Sequence, residues 1–107
     1  MTTSAVILAP TKTGGTSKTF QVGKPSRDQT VTVQVNNLGT TETANLQWQD
    51  FANGNWYPYF SNGQQEACNS TNSAIHISCS GNFRVQLTAT ANLVGVSVLS
   101  DLDIERM

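Results

Sequence analysis

The chain has 107 residues, a formal net charge of −1, 37% hydrophobic residues and only 12% charged ones. That length fits one compact domain, burying roughly two-thirds of its unfolded surface without help from metals or many disulfides. The six Lys and Arg are scattered rather than gathered into a stripe, which argues against nucleic acid as a partner.

Low charge with abundant Thr, Ser, Asn and Gln set between Val and Ile describes a half-exposed sheet rather than a disordered chain. From the N-terminus, Ala5-Val6-Ile7-Leu8-Ala9 is too short an apolar run to span a bilayer and lacks the flanks of a signal peptide. It predicts synthesis in the cytoplasm and no membrane partner. Residues 1–15 read as an N-terminal arm that pairs with a neighbouring subunit, and residues 16–107 as a single domain. Gly14-Gly15-Thr16-Ser17-Lys18-Thr19 superficially matches a phosphate loop but lacks its spacing and a following helix, so it reads as a turn.

Alternation then sets the class. Thr30-Val31-Thr32-Val33-Gln34-Val35-Asn36 alternates without a break, the pattern of a strand with one wet face. Asn45-Leu46-Gln47-Trp48-Gln49 places Leu46 and Trp48 inward, and Asn53-Gly54 predicts a type I′ hairpin turn before Asn55-Trp56-Tyr57. Asn62-Gly63 repeats the device. Trp48, Phe51, Trp56, Tyr57, Tyr59 and Phe60 concentrate the aromatics; Trp48 and Phe51 are expected in the core, while Trp56, Tyr57 and Tyr59 suit either a core or a contact surface.

Cys68 and Cys79 are the only cysteines, either reduced or paired late across a hairpin, a link contributing about 2–3 kcal/mol. Asn69-Ser70-Thr71 matches a glycosylation acceptor but reads as a chance match. Ile75-His76-Ile77-Ser78-Cys79 turns His76, the only histidine, away from the apolar face, so it reads as a surface residue. Asn82 to Ala89 and Val94-Gly95-Val96-Ser97-Val98 are further strands, with Gly95 marking a close approach or bulge. The alternation of Asp101, Asp103 and Glu105 suits a charged edge strand better than a cation site. Together these predict an all-β, antiparallel β-sandwich, jelly-roll or Ig-like, of about eight or nine short strands.

The segment from Leu46-Gln47-Trp48-Gln49 through Asn55-Trp56-Tyr57-Pro58 to Ser80-Gly81-Asn82-Phe83-Arg84-Val85 and Val94-Gly95-Val96-Ser97-Val98 resembles small phage virion structural proteins. The resemblance covers roughly residues 44–100. It implies a β-domain of a head, neck or tail fibre, located in the virion, with no catalytic residues to carry across. The resulting expectation is a capsid decoration (cement) or head- or tail-fibre-associated subunit, without enzymatic activity, metal or cofactor. Its partners would be other virion proteins (major capsid, portal or tail proteins) and further copies of itself. The expected contacts are Thr2, Ala5, Val6, Ile7 and Leu8 of the arm, with Trp56, Tyr57, Tyr59 and Phe60 of the aromatic hairpin. The competing expectation is a carbohydrate-binding or adhesin module that holds a glycan on Trp56 or Tyr57. A small hydrolase would have to use His76.

Overall fold

The computed structural model describes residues 3–22, 31–61, 63–77 and 81–100. Its described residues form twelve strands and no helix: β1 (Thr3–Thr11), β2 (Gly15–Thr16), β3 (Phe20–Val22), β4 (Val31–Val35), β5 (Ala44–Gln49), β6 (Trp56–Pro58), β7 (Phe60–Ser61), β8 (Gln64–Gln65), β9 (Ala67–Cys68), β10 (Ala74–Ile77), β11 (Gly81–Leu87) and β12 (Val94–Ser100). The protein is all-β, and all strand pairs among the described residues are antiparallel.

Each strand forms where period-two alternation can seat one face against the opposite layer. In β4, Val31, Val33 and Val35 are fully buried while Thr32 and Gln34 stay half-exposed. Phe83, Val85 and Leu87 of β11 and Val94, Val96 and Val98 of β12 do the same. These residues meet Phe20, Val22, Ala44, Leu46, Ile75 and Ile77 in one apolar cluster. Burying each such aliphatic or aromatic side chain contributes about 1.5–3 kcal/mol.

The four-stranded sheet runs β1-β12-β4-β10; the larger sheet runs β2-β11-β5-β6, with β3 also on β11 and β9 also on β5. Two interruptions explain why the strands outnumber the sequence expectation. β2 and β3 are two pieces of one strand along β11, and β6 and β9 are two pieces of one strand along β5, with the β7–β8 hairpin spliced between them. Counted that way, successive strands alternate between layers except at the β5–β6 hairpin, which is the wrapping order of a jelly roll. An Ig-like order would keep the last two strands side by side in one sheet. Here β11 and β12 lie in different layers.

The gap between β2 and β3 is closed by a side chain. Ser17 N–H donates to the Val85 carbonyl at 2.8 Å, and the Val85 N–H donates to Ser17 Oγ, also at 2.8 Å. The hydroxyl therefore stands in for a missing ladder acceptor in a buried setting. Ser17→Ala strands the Val85 N–H, and an unmade buried bond costs about 1–3 kcal/mol. Urea denaturation should show that loss with an unchanged m-value, whereas Ser17→Thr keeps the acceptor.

Residues 3–11, expected to stand off as an arm, lie in the chain's own sheet as β1 at its edge. Ile7 is buried in the core, so its side chain offers nothing to a partner. Register shifts between Val6 and Leu8 and between Leu8 and Thr11 mark bulges. The second bulge faces Gly95, where an added Cβ would sit 3.1 Å from the Leu8 carbonyl oxygen, so the glycine does mark a close approach. At one end of the sandwich Glu42 ties two loops together, its carboxylate accepting from Gly39 N–H at 2.7 Å and Ala91 N–H at 2.8 Å.

Candidate binding site at the aromatic end

β3, β11, β5 and β6 set four aromatic residues in register: Phe20 opposite Phe83, Phe83 opposite Trp48, and Trp48 opposite Tyr57. The row begins in the core and ends in solvent. Phe20 and Phe83 are buried, whereas Trp48 and Tyr57 are 36% and 38% exposed. Neighbouring rings brace each other, with centroids 6.1 Å apart for Phe20–Phe83 and 5.8 Å for Trp48–Tyr57. Tyr59 meets Phe83 edge-on at 5.5 Å and packs against the core.

The expectation that Trp48 and Phe51 fill the core is therefore corrected. Trp48 shares the face of Leu46 yet sits at the far end of β5, where that face is no longer covered, and Phe51 is 75% exposed in the following loop. That loop is also not the predicted type I′ turn. Such a turn needs positive φ at both central residues. Gly54 has φ 77°, but Asn37 is the only non-glycine with positive φ among the described residues. The loop is longer, closed by Asp50 N–H to the Asn55 carbonyl at 2.9 Å and Gly54 N–H to the Asp50 carbonyl at 2.7 Å. The Asp50 and Asn53 side chains cap Ala52 and Asn55 N–H groups, each at 2.8 Å.

Between these elements lies a cavity of about 220 Å³, walled by Trp48, Phe51, Tyr59 and Phe83, with Gln49, Gly81 and Asn82 completing its lining. Asn82 Nδ2 donates to Gln49 Oε1 at 3.1 Å, and Gln49 Nε2 donates to the Gly54 carbonyl at 3.2 Å. On the outer face of the same sheet, Arg84 stacks 4.4 Å over the half-buried Trp56 ring and donates from Nε to Gln47 Oε1 at 2.7 Å. Gln47 in turn donates to Gln86 at 3.0 Å. Trp56 is thus already covered on one face by a cation, an arrangement that holds the indole in place.

The remaining predicted residues are dispersed. Val6 is 60% exposed on β1, Ala5 and Leu8 pack partly against the core, and Phe60 is 58% exposed on β7. The β7–β8 hairpin carrying Phe60 belongs to neither large sheet and is tied to β5 of the larger one through Tyr59 and Glu66. Tyr59 N–H donates to the Leu46 carbonyl at 3.0 Å, and Glu66 N–H to the Tyr59 carbonyl at 2.8 Å. Thr2, Cys79, Asp101, Asp103 and Glu105 lie outside the described residues.

Cys68 is a free thiol, fully buried. Burial, reinforced by the Glu66 carboxylate and partly offset by a hydrogen bond to the Val35 backbone, pushes its pKa up to about 11. It stays protonated at neutral pH and acts as a packing residue. His76 is exposed, its Nδ1 2.9 Å from Thr32 Oγ1 across the β4–β10 pair. Asn69 closes its own turn by accepting from Thr71 N–H and Oγ1 and from Asn72 N–H at 2.8–3.0 Å. Among the described residues, no group of three or more His, Cys, Asp or Glu is placed to hold a metal ion.

No protein-family model matches the sequence, and no curated protein matches it. Among solved structures, the chain is similar to the SPBc2 prophage-derived protein YomS, with a TM-score of 0.66 at 16% identity over 94% of this chain and 92% of that one. At that identity the likeness shows a shared β-sandwich fold across nearly the whole of both chains.

Proposed function

We propose that this chain is a structural subunit of a bacteriophage particle, a capsid decoration or head- or tail-fibre-associated protein that works by docking to other virion proteins. The observation carrying the reading is the β7–β8 hairpin, which holds the 58%-exposed Phe60 away from both large sheets. The fold shared with a prophage-derived protein supports it. A large apolar side chain held out on a tied-down hairpin loses little conformational freedom on binding, so its burial goes mostly into affinity. Val6, exposed on the edge strand β1, provides a second apolar contact in this reading. Repeated copies around a symmetric particle would multiply a modest contact into a stable attachment. The partners in this reading are major capsid, portal or tail proteins and further copies of the chain.

Phe60→Ser tests the reading, because an exposed residue can be changed without touching the core. Loss of a central anchor of this kind costs about 1–2 kcal/mol or more, on the order of a tenfold or greater drop in particle association. Co-sedimentation of the purified variant with particles lacking the protein measures that drop, and the thermal midpoint should match that of the parent chain. Equal co-sedimentation of variant and parent would remove the hairpin from the docking surface.

A further inference from the structure

We infer that the outer face of the larger sheet, centred on Arg84 and Trp56, receives an acidic side chain, Asp or Glu, of the virion protein to which this chain docks. The inference rests on the docking role proposed above and deepens it, through residues other than Phe60 and Val6. Arg84 is the one charged residue on β11 and β5, and it lies on the outward face between the buried Phe83 and Val85. Its neighbours on that face are the neutral amides of Asn82, Gln86, Gln47 and Gln49. No described carboxylate pairs with it. Asp50 caps Ala52, Glu42 ties Gly39 to Ala91, and Glu66 acts on the buried Cys68. A half-buried cation without a counter-ion, set among neutral amides, is complementary to an anion.

The hydrogen bonds around Arg84 fix which groups remain for that anion. A guanidinium only donates, so the 2.7 Å bond from Nε forces Gln47 to present Oε1. Gln47 Nε2 then donates to Gln86 Oε1 at 3.0 Å, which leaves the Nε2 group of the exposed Gln86 unspent among the described residues. The relay therefore ends in donors on both sides, the Arg84 Nη groups and the Gln86 amide. Stacking 4.4 Å over Trp56 holds the guanidinium, so its Nη fork is oriented before a partner arrives and loses little freedom on binding. Two N–H groups on one planar fork match the two oxygens of a carboxylate. One cation matches one carboxylate, whereas a nucleic acid or an acidic polysaccharide would call for a row of cations. Arg and Trp are also among the side chains that most often anchor protein interfaces.

The test is co-sedimentation of the full chain and its Arg84 variants with particles lacking the protein. Arg84→Gln should weaken association by about tenfold or more. Arg84→Lys, which keeps the charge and loses the fork, should fall between the parent and Arg84→Gln. Arg84→Glu should associate more weakly than Arg84→Gln, because it sets like charges face to face. Added salt should weaken the parent more than it weakens Arg84→Gln. Undiminished association of Arg84→Gln, or equal association of Arg84→Gln and Arg84→Glu, overturns the inference and leaves the docking role standing. Competition by polygalacturonate does the same and assigns the face to an acidic glycan. If loss of the stack unfolds the neutral variant, seen in its thermal midpoint, the parent alone decides: association indifferent to salt overturns the inference. Failure of the parent to co-sediment at any salt concentration removes both readings together.

Discussion

Phe83→Ala should be the most damaging substitution in the core, costing about 3–5 kcal/mol. Phe83 stands at the crossing point of the aromatic row, paired with Phe20 on one side and Trp48 on the other and met edge-on by Tyr59. Truncation removes buried area and also leaves a void that rigid flanking strands cannot close. Domains of this size have about 5–15 kcal/mol in all, so the variant should lose a large part of its stability. Its thermal midpoint should drop by on the order of 15 °C or more. Phe83→Leu, which refills most of the volume, should recover much of the loss. A midpoint within a few degrees of the parent for the alanine variant would mean that the row does not hold this end of the sandwich together.

Gly14→Ala should be the most damaging glycine substitution, for two separable reasons. Gly14 has φ 78°, a backbone conformation that costs an L-residue about 1–2 kcal/mol. It also lies against the neighbouring strand end, where an added Cβ would fall 2.5 Å from the Leu87 carbonyl oxygen and 2.8 Å from the Thr88 carbonyl carbon. Both are backbone atoms, and the loop is held there by Thr90 N–H bonding to the Lys12 carbonyl at 2.9 Å. Gly54 provides the control, because its φ of 77° is nearly the same but its Cβ direction is open. Chemical denaturation should give about 1–2 kcal/mol for Gly54→Ala and clearly more for Gly14→Ala. Equal losses would show that the close approach contributes nothing.

The sequence announces the parts of this fold that depend on local alternation. Val31, Val33 and Val35, then Phe83, Val85 and Leu87, then Val94, Val96 and Val98 are inward as their spacing requires. Three features were not legible, each for a physical reason. The N-terminal run Ala5 to Leu8 does not alternate because a bulge at Ile7 interrupts its pairing with β12, and a strand whose partner lies near the other end of the chain looks like a free arm. Trp48 has the correct parity for the core, yet parity says nothing about where the opposite sheet stops. The strand order that distinguishes a jelly roll from an Ig-like sandwich rests on long-range pairings such as β1 with β12, which leave no local trace.

The candidate cavity was hidden for a related reason. Aromatic crowding between Trp48 and Phe60 was visible, but Phe83 and Asn82, which complete the cavity, arrive from β11 far along the chain. Asn-Gly at residues 53–54 signalled a turn correctly and its type wrongly, because the side-chain caps of Asp50 and Asn53 stabilise a longer loop with one left-handed residue. That longer loop is what carries Phe51 out to the cavity mouth.

Composition of phage particles grown from the genome that encodes this chain tests the proposed role most directly. Particles banded on a density gradient and quantified by mass spectrometry should contain the protein in constant ratio to the major capsid or tail proteins across the whole band. Protein confined to the lysate and absent from the banded particles would contradict the account.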